Sequence, residues 1–209
     1  MRTPVGNNVK EVSFELTWDY LCPFARNVHE HVALALQAGA PWDVRFRYFS
    51  LAQSHLSDVG EPVWADPARH PGVLAGLAGL VVREKYPDKF LDGHLALFSA
   101  RHDKGFDLRD RAVLVGVLDG AGLDGAAVVE EASDGWPAEQ ARAEHEEAVE
   151  RWDVFGVPTF IMADRAVFVR IMRRPGDDPG QAVRAVEKVL ELMSGFDELN
   201  EYKFTRVPR

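Results

Sequence analysis

The 209-residue chain has a single cysteine, Cys22, and the residues around it make it the first candidate for chemistry. Pro23, Phe24 and Ala25 follow it. Proline is at home in the first position of a helix, where its missing N–H removes no hydrogen bond. A thiol just ahead of that proline faces unpaired backbone N–H groups and the positive end of the helix dipole. Both favour the thiolate, so the expected pKa lies below that of a free cysteine and the sulfur becomes a nucleophile near neutral pH. Arg26, one turn on, would add positive charge if it folded back toward the sulfur. The competing reading is a buried, inert thiol, the usual fate of free cysteine; the position between a strand and Pro23 favours the reactive one. One cysteine excludes an internal disulfide and a multi-cysteine zinc site. Any disulfide chemistry must be intermolecular.

A second segment, Gly156-Val157-Pro158-Thr159, stands just ahead of a predicted strand. A cis proline there costs only about 0.5–1 kcal/mol in the X–Pro bond. It would turn the Val157 backbone outward, leaving its N–H and C=O for an extended, thiol-bearing substrate. A trans proline that merely opens the strand is the commoner alternative. Glu15 reads two ways: a carboxylate under the sheet near Cys22 that accepts protons during exchange, or an exposed strand position. His145 sits in an acidic helical run and reads as a solvated side chain beside glutamates. His29 and His31, two apart in the first helix, point to different faces and receive no role. The histidines are scattered, so no metal is expected.

These residues need elements to position them. Residues 12–17 alternate, with Phe14, Leu16 and Trp18 on one face and Ser13, Glu15 and Thr17 on the other, the period of a strand. The helix opened by Pro23 runs to about Ala38 and stops at Gly39-Ala40-Pro41. Val44, Phe46 and Tyr48 alternate with Arg45 and Arg47, a second strand. Strand, helix, strand favours a right-handed crossover between parallel strands. The middle reads as helices alone: over 68–86, over 89–100, one capped by Asp107 and carrying Leu108, Val113, Leu114 and Val117, one over 124–133, and an acidic one over 137–152. Strands return over 159–163 and 167–171, with a hairpin turn at Asp164-Arg165. Asp178-Pro179-Gly180-Gln181 opens a last helix. Its stripe of Val183, Val186, Leu190 and Met193 ends at Gly195, and the tail from Phe196 carries no structural signal. Trp64, Trp136, Phe90 and Phe98 belong to the core of the helical block or line an apolar pocket. The order β-α-β, helices, β-β-α is that of an α/β, thioredoxin-like fold whose central mixed sheet is interrupted by an all-helical insertion. Residues 1–51 and 154–209 would form the discontinuous thioredoxin-like domain, and 52–153 the insertion.

Composition narrows the partners. Hydrophobic residues make up 46% and charged residues 27% of the chain, the profile of a globular protein. No apolar run approaches the roughly 20 residues that span a bilayer, so no membrane partner is expected. Residues 1–10 are polar and lack the apolar core of a secretory leader, so a cytoplasmic location is expected. The net charge of −9 disfavours nucleic acid and anionic membrane surfaces.

Taken together, two segments resemble a known family. Thr17-Trp18-Asp19-Tyr20-Leu21-Cys22-Pro23-Phe24 resembles the active-site segment of the DsbA-like family, and Phe155-Gly156-Val157-Pro158-Thr159-Phe160 resembles its cis-proline segment. The Leu-Cys-Pro-aromatic run after Asp19, His145 shortly before Gly156, and the Tyr202-Lys203-Phe204-Thr205-Arg206 tail are most similar to the actinobacterial branch that includes the mycothiol-dependent nitroreductase. The resemblance implies a thioredoxin fold with a helical insertion and a thiol-dependent oxidoreductase. Cys22, Pro23, Phe24 and Ala25 would form the catalytic segment, Val157, Pro158 and Thr159 the binding ledge, and Glu15, Asp19, Arg26 and His145 auxiliary groups, with His145 near the cleft. Ala25 departs from the pattern, because most relatives carry there a second cysteine that resolves the mixed disulfide. Resolution then falls to a low-molecular-weight thiol, mycothiol or glutathione, as co-substrate, with no tightly bound cofactor. The expected partners are that thiol and a small-molecule or disulfide substrate, and an oligomer is compatible. Relatives without the pair resemble kappa-class glutathione transferases and 2-hydroxychromene-2-carboxylate isomerase, which carry serine at this position and use bound glutathione. A third reading is a non-catalytic protein that binds partners at the Pro158 ledge.

Overall fold

A computed structural model describes residues 12–56 and 60–205. The polar N-terminal run read from the sequence and Arg206 of the tail motif lie outside the described residues. Strand β1 (Val12–Trp18) leads into helix α1 (Pro23–Gln37) and strand β2 (Trp42–Tyr48). After the short helix α2 (Leu51–Ser54) come α3 (Val73–Lys85), α4 (Phe90–His102), α5 (Arg111–Gly120), α6 (Gly125–Glu131) and α7 (Gly135–Trp152). Strands β3 (Thr159–Met162) and β4 (Arg165–Phe168) and helix α8 (Pro179–Gly195) complete the chain. The sheet order is β2-β1-β3-β4, with β1 and β2 parallel and the β1–β3 and β3–β4 pairs antiparallel. This is the thioredoxin-like mixed sheet with a helical block between β2 and β3 that the element order predicts.

Sheet register sets the site. Leu16 lies opposite Phe160, so the C-terminal end of β1 runs beside the N-terminal end of β3. The Thr159 N–H donates to Thr17 Oγ1 at 2.8 Å and locks that corner. Cys22, four residues past β1, and Val157-Pro158, just ahead of β3, therefore meet at one edge of the sheet. Helices α1 and α8 pack together, while α7 packs against β2 and α3.

Several elements differ from the sequence reading. Helix α3 begins at Val73, not near 68, because Pro71-Gly72 break the chain and Gly72 adopts a left-handed φ of 78°. Asp110, not Asp107, caps α5, accepting from the Ala112 and Val113 N–H groups; Asp107 instead pairs with Arg109. The β3–β4 turn lies at Ala163-Asp164, with Ala163 at a φ of 56°, so β4 starts two residues earlier than the periodicity predicts. Phe90 and Phe98 are buried in the core, whereas Trp64 and Trp136 are only partly covered.

The acidic helix α7 is not simply a solvated face. Glu144 is buried and accepts from the Tyr48 N–H at 2.7 Å and from Arg83 Nη2 at 2.6 Å, which ties α7 to β2 and α3. Arg47, fully buried on β2, joins Glu15 and Glu147 in an ion pair between the sheet and α7. Glu15 thus spends its charge on Arg47. The structure shows it as a strand-to-strand partner of Arg47 on β2, which in turn reaches Glu147 on α7, rather than as a free carboxylate under Cys22.

Candidate active site

Cys22 is the N-cap of α1. Its backbone is extended and its Sγ accepts from the Ala25 N–H at 3.4 Å, while Pro23 occupies the first helical position. The Val157–Pro158 peptide bond is cis, and the thiol donates to the Val157 carbonyl oxygen at 3.2 Å. That contact joins two segments 135 residues apart. Thr159 is held by its hydroxyl to the Gly156 carbonyl at 2.8 Å.

The electrostatics of Cys22 reverse the expectation from the sequence. Burial pushes the thiol above its ordinary pKa, outweighing the Ala25 and Phe24 N–H groups that favour the thiolate; Asp19 raises it further and Arg170 lowers it. The residue is only 7% exposed. Its hydrogen bond to a carbonyl also favours the protonated form, since a thiolate has no proton to donate. The helix terminus is present as the sequence predicts, but desolvation outweighs it in the resting geometry.

Arg26 does not fold back on the sulfur. Its guanidinium pairs with Asp103 at 2.7 Å, linking α1 to the end of α4. The cation that acts on Cys22 is Arg170, just past β4, whose guanidinium lies 5.3 Å from the centroid of the Phe24 ring and 5.9 Å from that of Phe168. Phe168 in turn packs at 5.1 Å against Phe155, which is 72% exposed. Phe24, Phe155, Phe168 and Arg170 thus form an aromatic rim carrying one positive charge. Sequence reasoning missed Arg170 and Phe168, because nothing in their local pattern announces that the β4 end returns to the start of α1.

Asp19 is buried beneath the turn before Cys22. It accepts from the Leu21 and Leu51 N–H groups, each at 2.8 Å, and burial lifts its carboxyl to about 6. It fastens the Cys22 turn to the loop after β2. His145 lies on the other side of that loop, buried rather than solvated. Its Nδ1 accepts from the Ser50 N–H at 3.3 Å, which places the ring proton on Nε2, and its ring packs 4.4 Å from Phe49. Burial lowers its pKa to about 4, so it is neutral at pH 7.

His29, which the sequence gives no role, belongs to a buried chain with His94 and Tyr20. Tyr20 Oη meets His94 Nδ1 at 2.8 Å, His94 Nε2 meets His29 Nδ1 at 2.9 Å, and His29 Nε2 meets the Thr17 carbonyl at 3.1 Å. His31 Nε2 bonds the Arg173 carbonyl at 3.0 Å and ties α1 to the segment after β4. The i, i+2 spacing correctly separates His29 and His31 onto different faces, but both faces are covered.

The fold is thioredoxin-like, a mixed four-stranded sheet with a helical insertion between β2 and β3. The family model of the DSBA-like thioredoxin domain matches residues 89–173, which include Val157-Pro158 and exclude Cys22. No curated protein matches at the level of sequence. Among solved structures, a 2-hydroxychromene-2-carboxylate isomerase is 16% identical with a TM-score of 0.60, covering 88% of this chain and 98% of its own. The cytosolic disulfide reductase DsbM from Pseudomonas aeruginosa, solved with GSH, is 17% identical with a TM-score of 0.58, covering 87% and 100%. Pseudomonas aeruginosa DsbA is 18% identical with a TM-score of 0.56, covering 90% and 86%. At these identities the likeness is one of fold. Among the described residues, no helix is long and apolar enough to cross a membrane.

Proposed function

We propose that this protein is a thiol–disulfide oxidoreductase that works through Cys22 alone, with a small external thiol as its second reactant. The observation that carries the reading is the contact of the Cys22 sulfur, at the N-terminus of α1, with the Val157 carbonyl on the proline ledge. A disulfide lying along that ledge would bring its sulfur to the nucleophile and displace the thiol from the carbonyl. The Cys22 thiol gives up its proton and its sulfur attacks, forming a Cys22–substrate disulfide and releasing one thiolate of the substrate. An external thiolate then attacks the substrate sulfur of that adduct, regenerating the Cys22 thiolate and leaving with the disulfide bond. Ala25 supplies no internal thiol to compete with this second step.

Intact-mass measurement after incubation with glutathione disulfide is the test. One glutathionyl group on the wild-type chain, removed by added thiol and absent from Cys22→Ser, is the expected result. A folded protein that acquires no adduct even at about pH 9, where an ordinary thiol is largely ionised, would overturn the reading.

Arg170 bears on the choice of thiol. A guanidinium over the Phe24 ring favours carboxylate-bearing partners, so it supports glutathione over mycothiol, whose groups beyond the thiol are neutral. Reversing the charge with Arg170→Glu is expected to slow adduct formation with glutathione disulfide by about tenfold while leaving uncharged 2-hydroxyethyl disulfide within about twofold. Equal slowing of both would remove Arg170 from the recognition of charge.

The isomerase neighbour favours a second reading, in which a small thiol binds without covalent attachment and assists transfer or isomerisation. Saturable glutathione binding by calorimetry with no Cys22 adduct would select it.

A further inference from the structure

We propose that helix α4 is a positioning element for the nucleophile, in which His94 and His102 hold Tyr20 by its hydroxyl and its carbonyl and so fix the turn that presents Cys22. The inference takes Cys22 as the reacting thiol, as above, but concerns what sets its place.

The Thr17 carbonyl can only accept, so His29 Nε2 carries the proton and His29 Nδ1 is the acceptor. His94 Nε2 must then donate to it, which leaves His94 Nδ1 as an acceptor for the Tyr20 hydroxyl. With both rings held neutral by burial, each group has one role. Eight residues along the same helix, His102 Nε2 donates to the Tyr20 carbonyl at 2.9 Å. One helix thus grips one residue at both ends, two positions ahead of Cys22.

The rest of the turn is held in the same way. The Asp19 carboxylate accepts from the Leu21 N–H, and the Asp19 carbonyl accepts from the Cys22 N–H at 3.1 Å. Helix α3 lies flush on top. A Cβ at Gly72 would sit 2.7 Å from Leu21 Cγ, and one at Gly79 would strike the Tyr20 hydroxyl. The sulfur therefore takes its position from the inserted helices as well as from α1. A core of this shape could have been filled with apolar rings; a directed polar chain instead specifies one orientation of Tyr20.

The experiment compares variants of the full chain by the rate of Cys22 alkylation with iodoacetamide across pH, alongside helical circular dichroism and melting temperature. Alkylation needs no thiol co-substrate, so its outcome is independent of whether Cys22 forms mixed disulfides. His102 is only half-buried at the end of α4, so His102→Leu is expected to keep its helical signal. Loosening the turn frees the thiol from the Val157 carbonyl, and alkylation near pH 8 is expected to rise at least about fivefold. His102→Gln, which retains a donor, is expected to stay within about twofold of wild type. Tyr20→Phe, which removes only the hydroxyl that pairs with His94 Nδ1, is expected to accelerate alkylation in the same sense. Alkylation profiles of His102→Leu and Tyr20→Phe that superimpose on the wild type, whatever their melting temperatures, would overturn the proposal.

Discussion

Gly79→Ala is expected to destabilise the protein by about 3 kcal/mol, as the balance of overpacking and a lost buried hydrogen bond against a small gain in helix propensity. A methyl group at Gly79 meets the Tyr20 hydroxyl and comes within 3.1 Å of two of its ring carbons. Tyr20 is fully buried, with Phe98 at 4.9 Å and His94 at 5.2 Å on its other sides, so the ring has nowhere to go. Displacing it also strands His94 Nδ1 as an unpaired buried acceptor. The same substitution in α5 has the opposite sign. Gly116 has nothing within 4 Å of its ideal Cβ, and Gly116→Ala is expected to stabilise by up to about 1 kcal/mol through helix propensity alone. Urea midpoints at unchanged m-value measure both. Equal effects at the two sites would contradict the flush packing of α3 on the Cys22 turn.

The second large effect is with pH. Burial holds His29 at about 3 and His145 at about 4, and pushes His94 well below its ordinary value, all against an unfolded value near 6.5. Folded pKa values below the unfolded ones mean that folding favours the neutral rings. Their stabilisation is complete above pH 6.5 and is lost as pH falls toward 4 and below. Burial is the main reason, and the geometry adds to it: a proton on His29 Nδ1 would face the His94 N–H, and one on His94 Nδ1 would oblige the Tyr20 hydroxyl to turn and accept. Asp19 acts in the other direction. Its carboxyl rises from 3.8 to about 6, so its contribution grows as pH falls through 6 and is complete below 3.8. His29 and His145 against Asp19 leave a net loss of about 3 kcal/mol between pH 7 and 4.5, and His94, His31 and His102, all lowered by burial, act in the same direction. For a chain of this size a loss of about 3 kcal/mol corresponds to a fall in melting temperature of about 6–12 °C. Thermal melts across that range, with His145→Asn as a variant expected to flatten the slope, supply the check. A melting temperature that holds constant or rises on acidification would show that the buried rings are not held neutral.

Much of the frame is legible in the chain itself. Alternation in β1 and β2, Pro23 at the start of α1, and Asp178-Pro179 at the start of α8 are local signals, each with a local cause in strand period or capping chemistry. The misplaced boundaries are where two local signals compete. Asp107 and Asp110 can both cap; Asp110 takes the role, while Asp107 pairs with Arg109. Arg26 illustrates the harder case. From sequence, a cation one turn beyond Cys22 points to the sulfur, yet its guanidinium goes to Asp103, 77 residues away.

By itself, then, the sequence determined which residue can be a nucleophile, that a helix begins immediately after it, and that no second thiol exists to resolve it. Only the tertiary structure decided that Arg170 acts on that sulfur, that burial outweighs the helix terminus in setting its proton affinity, and that Tyr20, His94 and His29 form one chain. The division has a physical cause. Capping and periodicity act over a few bonds and leave a local imprint, whereas desolvation and long-range hydrogen bonds depend on which distant surfaces close over a group, and the residue's own neighbours in sequence carry no record of that.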